Sequence, residues 1–503
     1  MKNIKRASIY TITGKLISKI IGLIRERLAK TLFGLSPEMS IFSFVITVIL
    51  LIRSITVRSF ARASVPYIME HEKDNTNVSL NSISLTVSLN TIIGLLLIIF
   101  STSLAHYTLG NLTNTPSLLD FGKSMYILGG MLLITLAIAD SWEIILSGKR
   151  IFTYQAIREP LVNTIYLTIL FLVPTTTTLM SGRLIGELIF ATIVAIGGFL
   201  YYKNHTQLQT IISTSHIKEI FLLGLPVMLG TSINFINTFA DRYMATFLPD
   251  TRSVSALGAA TTLAILPYGL FGEAINKTVY TGFSEAASKG DNKLFMEYVG
   301  KVLYLGGLII IPASVGLAAL SVNITHFLYY GGHFNMADVY LVASALFFYA
   351  IRYLFTSLYI PLNNSFIALR KNHIPLYLSA LFIPLNIGFN WLFGFYMGMG
   401  APGFALATAL TATGMFLAII YILVIEMKRP VPRNYLTGFG KAWLASGIMG
   451  GFIYTLGKHL PLSRINTLII ITIGIIIYGL MLLILKDDET LKVVNRIVGR
   501  IKR

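Results

Sequence analysis

No cysteine occurs among the 503 residues, and charged side chains make up only 12% of them, about half the share found in an ordinary soluble domain. The first absence excludes disulfides, thiol catalysis and Cys-based metal sites. The second excludes a soluble globular enzyme. Acidic residues are scarcer than basic ones, 22 against 40 Lys and Arg, so the formal net charge is +18. Neither the phosphate-loop pattern GxxxxGK[ST] nor the zinc motif HExxH is present, and the eight His residues are scattered over loops and helix ends. Direct ATP coupling and zinc hydrolysis therefore find no support.

What is present is apolar. Hydrophobic residues make up 54% of the chain, mean hydropathy is +0.72, and apolar runs recur from end to end. A helix of about 20 apolar residues crosses a bilayer. Fourteen such spans are predicted, from 9–32 to 465–485, which makes the chain an all-α polytopic membrane protein with no room for a large soluble domain. The first apolar stretch is interrupted by Lys15, Lys19 and Arg25 and lacks a small-residue cleavage site. It is read as a retained helix rather than a signal peptide.

The charge is not evenly spread. Even-numbered connections are basic: Lys149 and Arg150, Lys203 and Lys218, Lys289 and Lys293, Arg370 and Lys371, then Lys428, Arg429 and Arg433, with Lys492, Arg496, Arg500, Lys502 and Arg503 in the tail. The odd stretches 109–118, 174–181, 331–336 and 396–403 hold no Lys or Arg. Basic loops stay on the cytoplasmic side, so both termini are expected there. The alternation accounts for much of the +18 without nucleic acid as a partner.

The chain also repeats itself. Glu26-Arg27 with Thr31 recurs as Asp241-Arg242 with Thr246, an offset of 215, and Ser147-Gly148-Lys149-Arg150 is echoed by Ala368-Leu369-Arg370-Lys371. The expectation is two parallel six-helix lobes, spans 1–6 and 7–12, around a central cavity, with spans 13 and 14 appended. The corresponding domains are 1–205, 206–430 and 431–503, the last ending in a basic cytoplasmic tail.

Charges within spans are costly and face a wet cavity or a partner. Span 1 carries Lys15, Lys19, Arg25, Glu26 and Arg27, and span 2 carries Arg53, Arg58 and Arg62. This basic lining suits an anion, because Arg presents a planar fork matched to phosphate and Lys a point charge. Snorkelling to the headgroups is the alternative for Arg27, Arg58 and Arg62. In the second lobe Asp241, Asn386, Asn390 and Thr408 supply oxygens suited to a monovalent cation, with Asp241 the candidate Na⁺ ligand; a hydrogen-bonded helix interface is the competing reading. Glu273 and Lys277 read as an i,i+4 ion pair. Asp140, Glu143, Glu187 and Arg352 have no partner that spacing can assign.

Gly22-Leu23-Ile24-Arg25-Glu26, Ala63-Ser64-Val65-Pro66, Leu266-Pro267-Tyr268-Gly269-Leu270-Phe271-Gly272, Tyr330-Gly331-Gly332-His333-Phe334 and Gly403-Phe404-Ala405-Leu406-Ala407-Thr408 resemble the MurJ (MviN-like) lipid II flippase family of the MOP exporter superfamily. The likeness runs over about residues 1–430. It implies fourteen helices and movement of an undecaprenyl-diphosphate peptidoglycan precursor to the outer leaflet of the bacterial cytoplasmic membrane by alternating access. It further implies a transporter rather than an enzyme, with membrane lipids and other cell-wall synthesis proteins as partners and no cofactor beyond a coupling Na⁺ or H⁺. Carried over by position, Arg25, Arg53 and Lys19 would hold the diphosphate. Two departures stand out: Val57-Arg58-Ser59-Phe60 replaces a Gly-Glu-Gly-Ala-like turn, and Thr262 replaces a cavity Arg. Arg58, Arg62, Lys277 or Arg352 are the candidate substitutes.

Alternatives remain at this point. An exporter of another polyprenyl-diphosphate glycan, O-antigen-like, would use the same cationic lining. A multidrug exporter would favour an acidic, aromatic one. A membrane glycosyltransferase would need an acidic pair near an outer loop, and Glu38 and Asp120 are isolated.

Overall fold

The computed structural model describes residues 2–70, 76–205, 214–371 and 373–486. Those residues are almost entirely helical, and a helix stands at each place where the sequence predicts a span. The first series runs α1 (Lys2–Phe33), α2 (Pro37–Ile52), a π-turn (Arg53–Arg58), α3 (Ser59–Glu70), α4 (Thr76–Ile99), α5 (Ser101–Thr108), α6 (Pro116–Gly148), α7 (Thr153–Leu172) and α8 (Thr178–His205). The second runs α9 (Thr214–Ala245), α10 (Ser253–Ala264), a π-turn (Tyr268–Gly272), α11 (Glu273–Ser288), α12 (Asn292–Ala319), α13 (Ser321–Tyr329), α14 (Met336–Ala368), α15 (His373–Phe389) with a π-turn at Asn390–Tyr396, and α16 (Ala401–Met427). Then come α17 (Arg433–His459) and α18 (Arg464–Ile484).

The two series match helix for helix. α1 and α9 each have 32 residues, α6 and α14 each have 33, and the first two π-turns begin 215 residues apart, at Arg53 and Tyr268. Among the described residues nine helical stretches are long and apolar enough to cross a membrane. α1, α7, α9 and α17 have 20 residues or more, enough for about 30 Å of rise. Exposed Leu95, Leu96, Ile99, Phe171, Leu172, Ile196, Phe199, Ile475 and Ile476 form the kind of apolar surface that lipid, not water, covers.

Two predicted spans, 80–105 and 299–329, are each broken. Phe100 (φ −92°, ψ 15°) separates α4 from α5, and Leu320 (φ −106°, ψ 25°) separates α12 from α13. Neither break carries a Gly or Pro, so hydropathy alone reads through both.

By packing, the chain forms two compact units. The first holds residues 1–255 and 331–334, the second 256–330 and 335–503. α9 opens the second series but packs on α2, α3 and α4 in the first unit. The first unit centres on Trp142, Ile145, Leu146, Phe190 and Tyr202. The second centres on Phe283, Phe295, Val299, Leu354, Phe366 and Phe416.

α4 and α6 approach through glycine. A Cβ on Gly94 would lie 2.8 Å from the Gly130 carbonyl oxygen, and one on Gly130 would lie 2.5 Å from the Gly94 carbonyl oxygen. Without a solvent-driven hydrophobic force, membrane helices gain from such close backbone approach. Gly130→Val is expected to cost about 1–3 kcal/mol and to lower the melting temperature in detergent. Gly440→Ala, which meets nothing within 4 Å, should leave it unchanged; equal melting of both variants would contradict this packing.

Candidate functional site

The first unit holds a buried ion network at the π-turn. Arg53, at its start, donates from Nε and Nη2 to the two carboxylate oxygens of Asp140, each at 2.6 Å. Arg58, at its end, brings Nε within 3.7 Å of Asp140 Oδ2. Arg158 on α7 also donates to Asp140, to Glu143 Oε2 at 2.5 Å and to Glu187 Oε2 at 2.9 and 3.2 Å. Three arginines thus meet three carboxylates. Arg53, Asp140, Arg158 and Glu187 are all at least 90% buried, whereas the Arg58 side chain keeps 37% of its surface exposed.

Local structure explains how α2 delivers two arginines to one carboxylate. The π-turn widens the helix so that positions five apart approach each other. Its loosened backbone is stitched by Ser59 Oγ on the Ser54 carbonyl at 2.8 Å and by Thr56 Oγ1 on the Ile52 carbonyl at 2.8 Å. On α7, Arg158, Val162, Tyr166 and Leu170 form one buried stripe at four-residue spacing, which aims Arg158 inward.

The same helix anchors the second basic residue. Arg25 donates to Asn163 Oδ1 at 2.6 Å, stacks over the Tyr166 ring at 4.6 Å and lies 3.9 Å from Glu26. Asn163 Nδ2 in turn donates to Ser18 Oγ at 2.9 Å. Lys19 is half-buried beside Ser18 on α1. The structure therefore brings Arg53 and Arg58 together on Asp140 and sets Arg25 on a separate anchor, with α7 serving both. Arg62, Glu273 and Lys277 have side chains outside the described residues. Thr262 donates back to Gly258 of its own helix at 3.1 Å.

The oxygen-rich group divides. Asn386, Asn390 and Thr408 come together in the second unit, where Asn386 Nδ2 donates to Thr408 Oγ1 and Thr411 Oγ1, both at 3.4 Å, and Asn390 Nδ2 to Asn386 Oδ1 at 3.5 Å. Such lengths mark weak bonds. Asp241, 1% exposed, belongs to the first unit. Arg352, buried in the second unit, lies over the rings of Tyr349 and Tyr353 at 5.3 and 5.2 Å.

Sequence reading missed three functional-looking residues. Arg158 sits beside Glu159-Pro160 and reads as a helix-end charge. Asn163, followed by Thr164, is a short polar interruption in an apolar run. Lys30 reads as a helix-end charge too, yet it is 1% exposed and donates to Ser255 Oγ at 2.9 Å. The four-residue spacing of Arg158 and Tyr166 with Val162 and Leu170 is the signal that could have exposed the first.

The sequence matches the family described as Lipid II flippase MurJ over residues 29–474. It is 30% identical over 279 residues to the probable lipid II flippase MurJ of Thermotoga maritima, 55% of each chain, so it spans about half of that relative's length. The fold resembles a lipid II flippase MurJ in an inward closed conformation, with a TM-score of 0.78 and 23% identity, covering 95% of this chain and 99% of that one. An inward-facing multidrug resistance MATE transporter of the MOP superfamily shares it less closely, with a TM-score of 0.66 and 13% identity over 83% and 98% of the chains. Matched over most of its length, the chain belongs to the MurJ lipid II flippase family.

Proposed function

We propose that this protein moves lipid II, a peptidoglycan precursor on a polyprenyl diphosphate, from the cytoplasmic to the outer leaflet of the bacterial cytoplasmic membrane, with both termini cytoplasmic. The observation that carries this reading is the arginine-rich interior of the first unit. Arg53 and Arg158 are buried against carboxylates, while Arg58 and Arg25 are only partly covered. A diphosphate arriving at the partly covered pair exchanges one anion for another, and no step leaves a bare charge in low dielectric. Arg25, Arg58 and Lys19 are assigned direct contact with the diphosphate. Arg53 is assigned to the same site through Asp140, and Arg62 is assigned to it from the sequence alone. The same cations disfavour a cationic drug as cargo.

The return step is assigned to a coupling cation, H⁺ or Na⁺ at the buried Asp241, or to the membrane potential. Asn386, Asn390 and Thr408 offer neutral oxygens only, which suits a weakly held monovalent ion.

In a bacterium depleted of its own lipid II flippase, the chain should restore growth, and Arg25→Ala at matched membrane level should not. Normal rescue by both Arg25→Ala and Arg53→Ala would remove the anion site. Failure of the well-inserted unaltered chain would move the assignment to another polyprenyl-diphosphate glycan. Asp140→Asn strips Arg53 and Arg158 of a shared carboxylate and should cost about 3–5 kcal/mol, with Asp140→Glu milder. Unchanged thermal unfolding of Asp140→Asn in detergent would show that the network holds nothing together.

A further inference from the structure

One backbone contact is built twice, at corresponding places in the two series. The N–H of Asn111, in the turn between α5 and α6, donates to the carbonyl of Thr246 at the end of α9, at 2.9 Å. The N–H of His333, in the turn between α13 and α14, donates to the carbonyl of Thr31 near the end of α1, also at 2.9 Å. Each donor follows a glycine in the left-handed region, Gly110 (φ +50°) and Gly332 (φ +56°). A Cβ on Gly110 would stand 2.9 Å from the Thr246 carbonyl oxygen, and one on Gly332 would stand 2.2 Å from that of Thr31. Both acceptors are the threonines of the internal repeat, 215 residues apart.

We propose that these two clasps are latches, which close over the ends of α1 and α9 in one state of the transport cycle and open in the other. They are made for reversal. Each depends on few hydrogen bonds, and Asn111, Gly332 and His333 are exposed, whereas the helices behind them are fixed by buried cores. The first adds Asn111 Nδ2 on the Phe247 carbonyl at 3.0 Å and on that of Leu248 at 3.4 Å, and Thr246 Oγ1 on the Thr108 carbonyl at 3.4 Å. A net hydrogen bond shifts an equilibrium by about two- to tenfold, enough to bias a two-state element without freezing it.

They are also placed for coupling. Thr31 lies six residues beyond Arg25 and Thr246 five beyond Asp241, about 8–9 Å along the respective helices. An ion or anion that shifts either helix therefore acts on its latch. The turn Gly331–Phe334 groups with the first unit although α13 and α14, on either side of it, group with the second. The inference rests on the chain being a transporter with two states, not on lipid II being its cargo.

The absence of native cysteine makes the test direct. Thr31→Cys with His333→Cys, and Asn111→Cys with Phe247→Cys, are each bridged by a short bis-methanethiosulfonate, each thiolate displacing a sulfinate to form a reducible disulfide, and growth rescue is measured before bridging, after it and after reduction. Rescue lost on bridging and regained on reduction is the expected result; full rescue with either pair completely bridged overturns the latch. In parallel, a membrane-impermeant thiol reagent is applied to the single variant Thr246→Cys, at a position buried in the closed latch, with and without Gly110→Ala. Labelling should rise about two- to tenfold when the glycine is replaced, and unchanged labelling also overturns the proposal. The labelling does not depend on cargo, so failed rescue by the unaltered chain would count against the lipid II reading while leaving the latch to be decided by labelling.

Discussion

An ionised side chain cannot sit bare in a bilayer, and in this protein that constraint converges on one carboxylate. Asp140 receives Arg53 twice, Arg158 once and the approach of Arg58. The π-turn after α2 is thereby tied to α6, α7 and α8 by charge as well as by apolar packing, since Glu143 and Glu187 complete the set. Exchanging a buried ion pair for apolar residues is often neutral or stabilising, so stability alone does not account for six ionisable groups here. The proposed handling of a multiply charged headgroup would account for them: such a site needs cations at depth, and between loads those cations need resident anions.

The fold was largely legible in the sequence because membrane helices follow one rule, that every backbone polar group be satisfied within an apolar run. Hydropathy therefore located the helices, and the charge echoes at Glu26-Arg27 and Asp241-Arg242 located the repeat. The breaks at Phe100 and Leu320 were not legible, because they arise where the chain turns between packed helices and use ordinary residues. Nor was the packing of α9 with the first unit, which depends on surfaces far apart in sequence.

The candidate site was legible in composition but not in pairing. Arg25, Arg53 and Arg58 stood out as charges in apolar runs, yet their partners Asn163 and Asp140 lie 138 and 87 residues away for the first two, and no local spacing reports such distances. Asp140, Glu143 and Glu187 had no assignable partner for the same reason. They are joined by Arg158, which was not singled out. The grouping of Asn386, Asn390 and Thr408 was visible because two of the three share one helical face.

The π-turns carry a consequence for face assignment. Each one accommodates an extra residue in a helix, so a helical wheel drawn through 37–70 at 3.6 residues per turn is out of phase by about 100° beyond Arg58. The core residues of α3, Phe60, Ser64 and Tyr67, fall on the buried side only because that residue is accommodated. Deleting one residue between Arg53 and Arg58 would turn this set away from its packing partners while leaving composition and hydropathy almost untouched. The matching turn at Tyr268–Gly272 gives α11 the same dependence on a single residue of length.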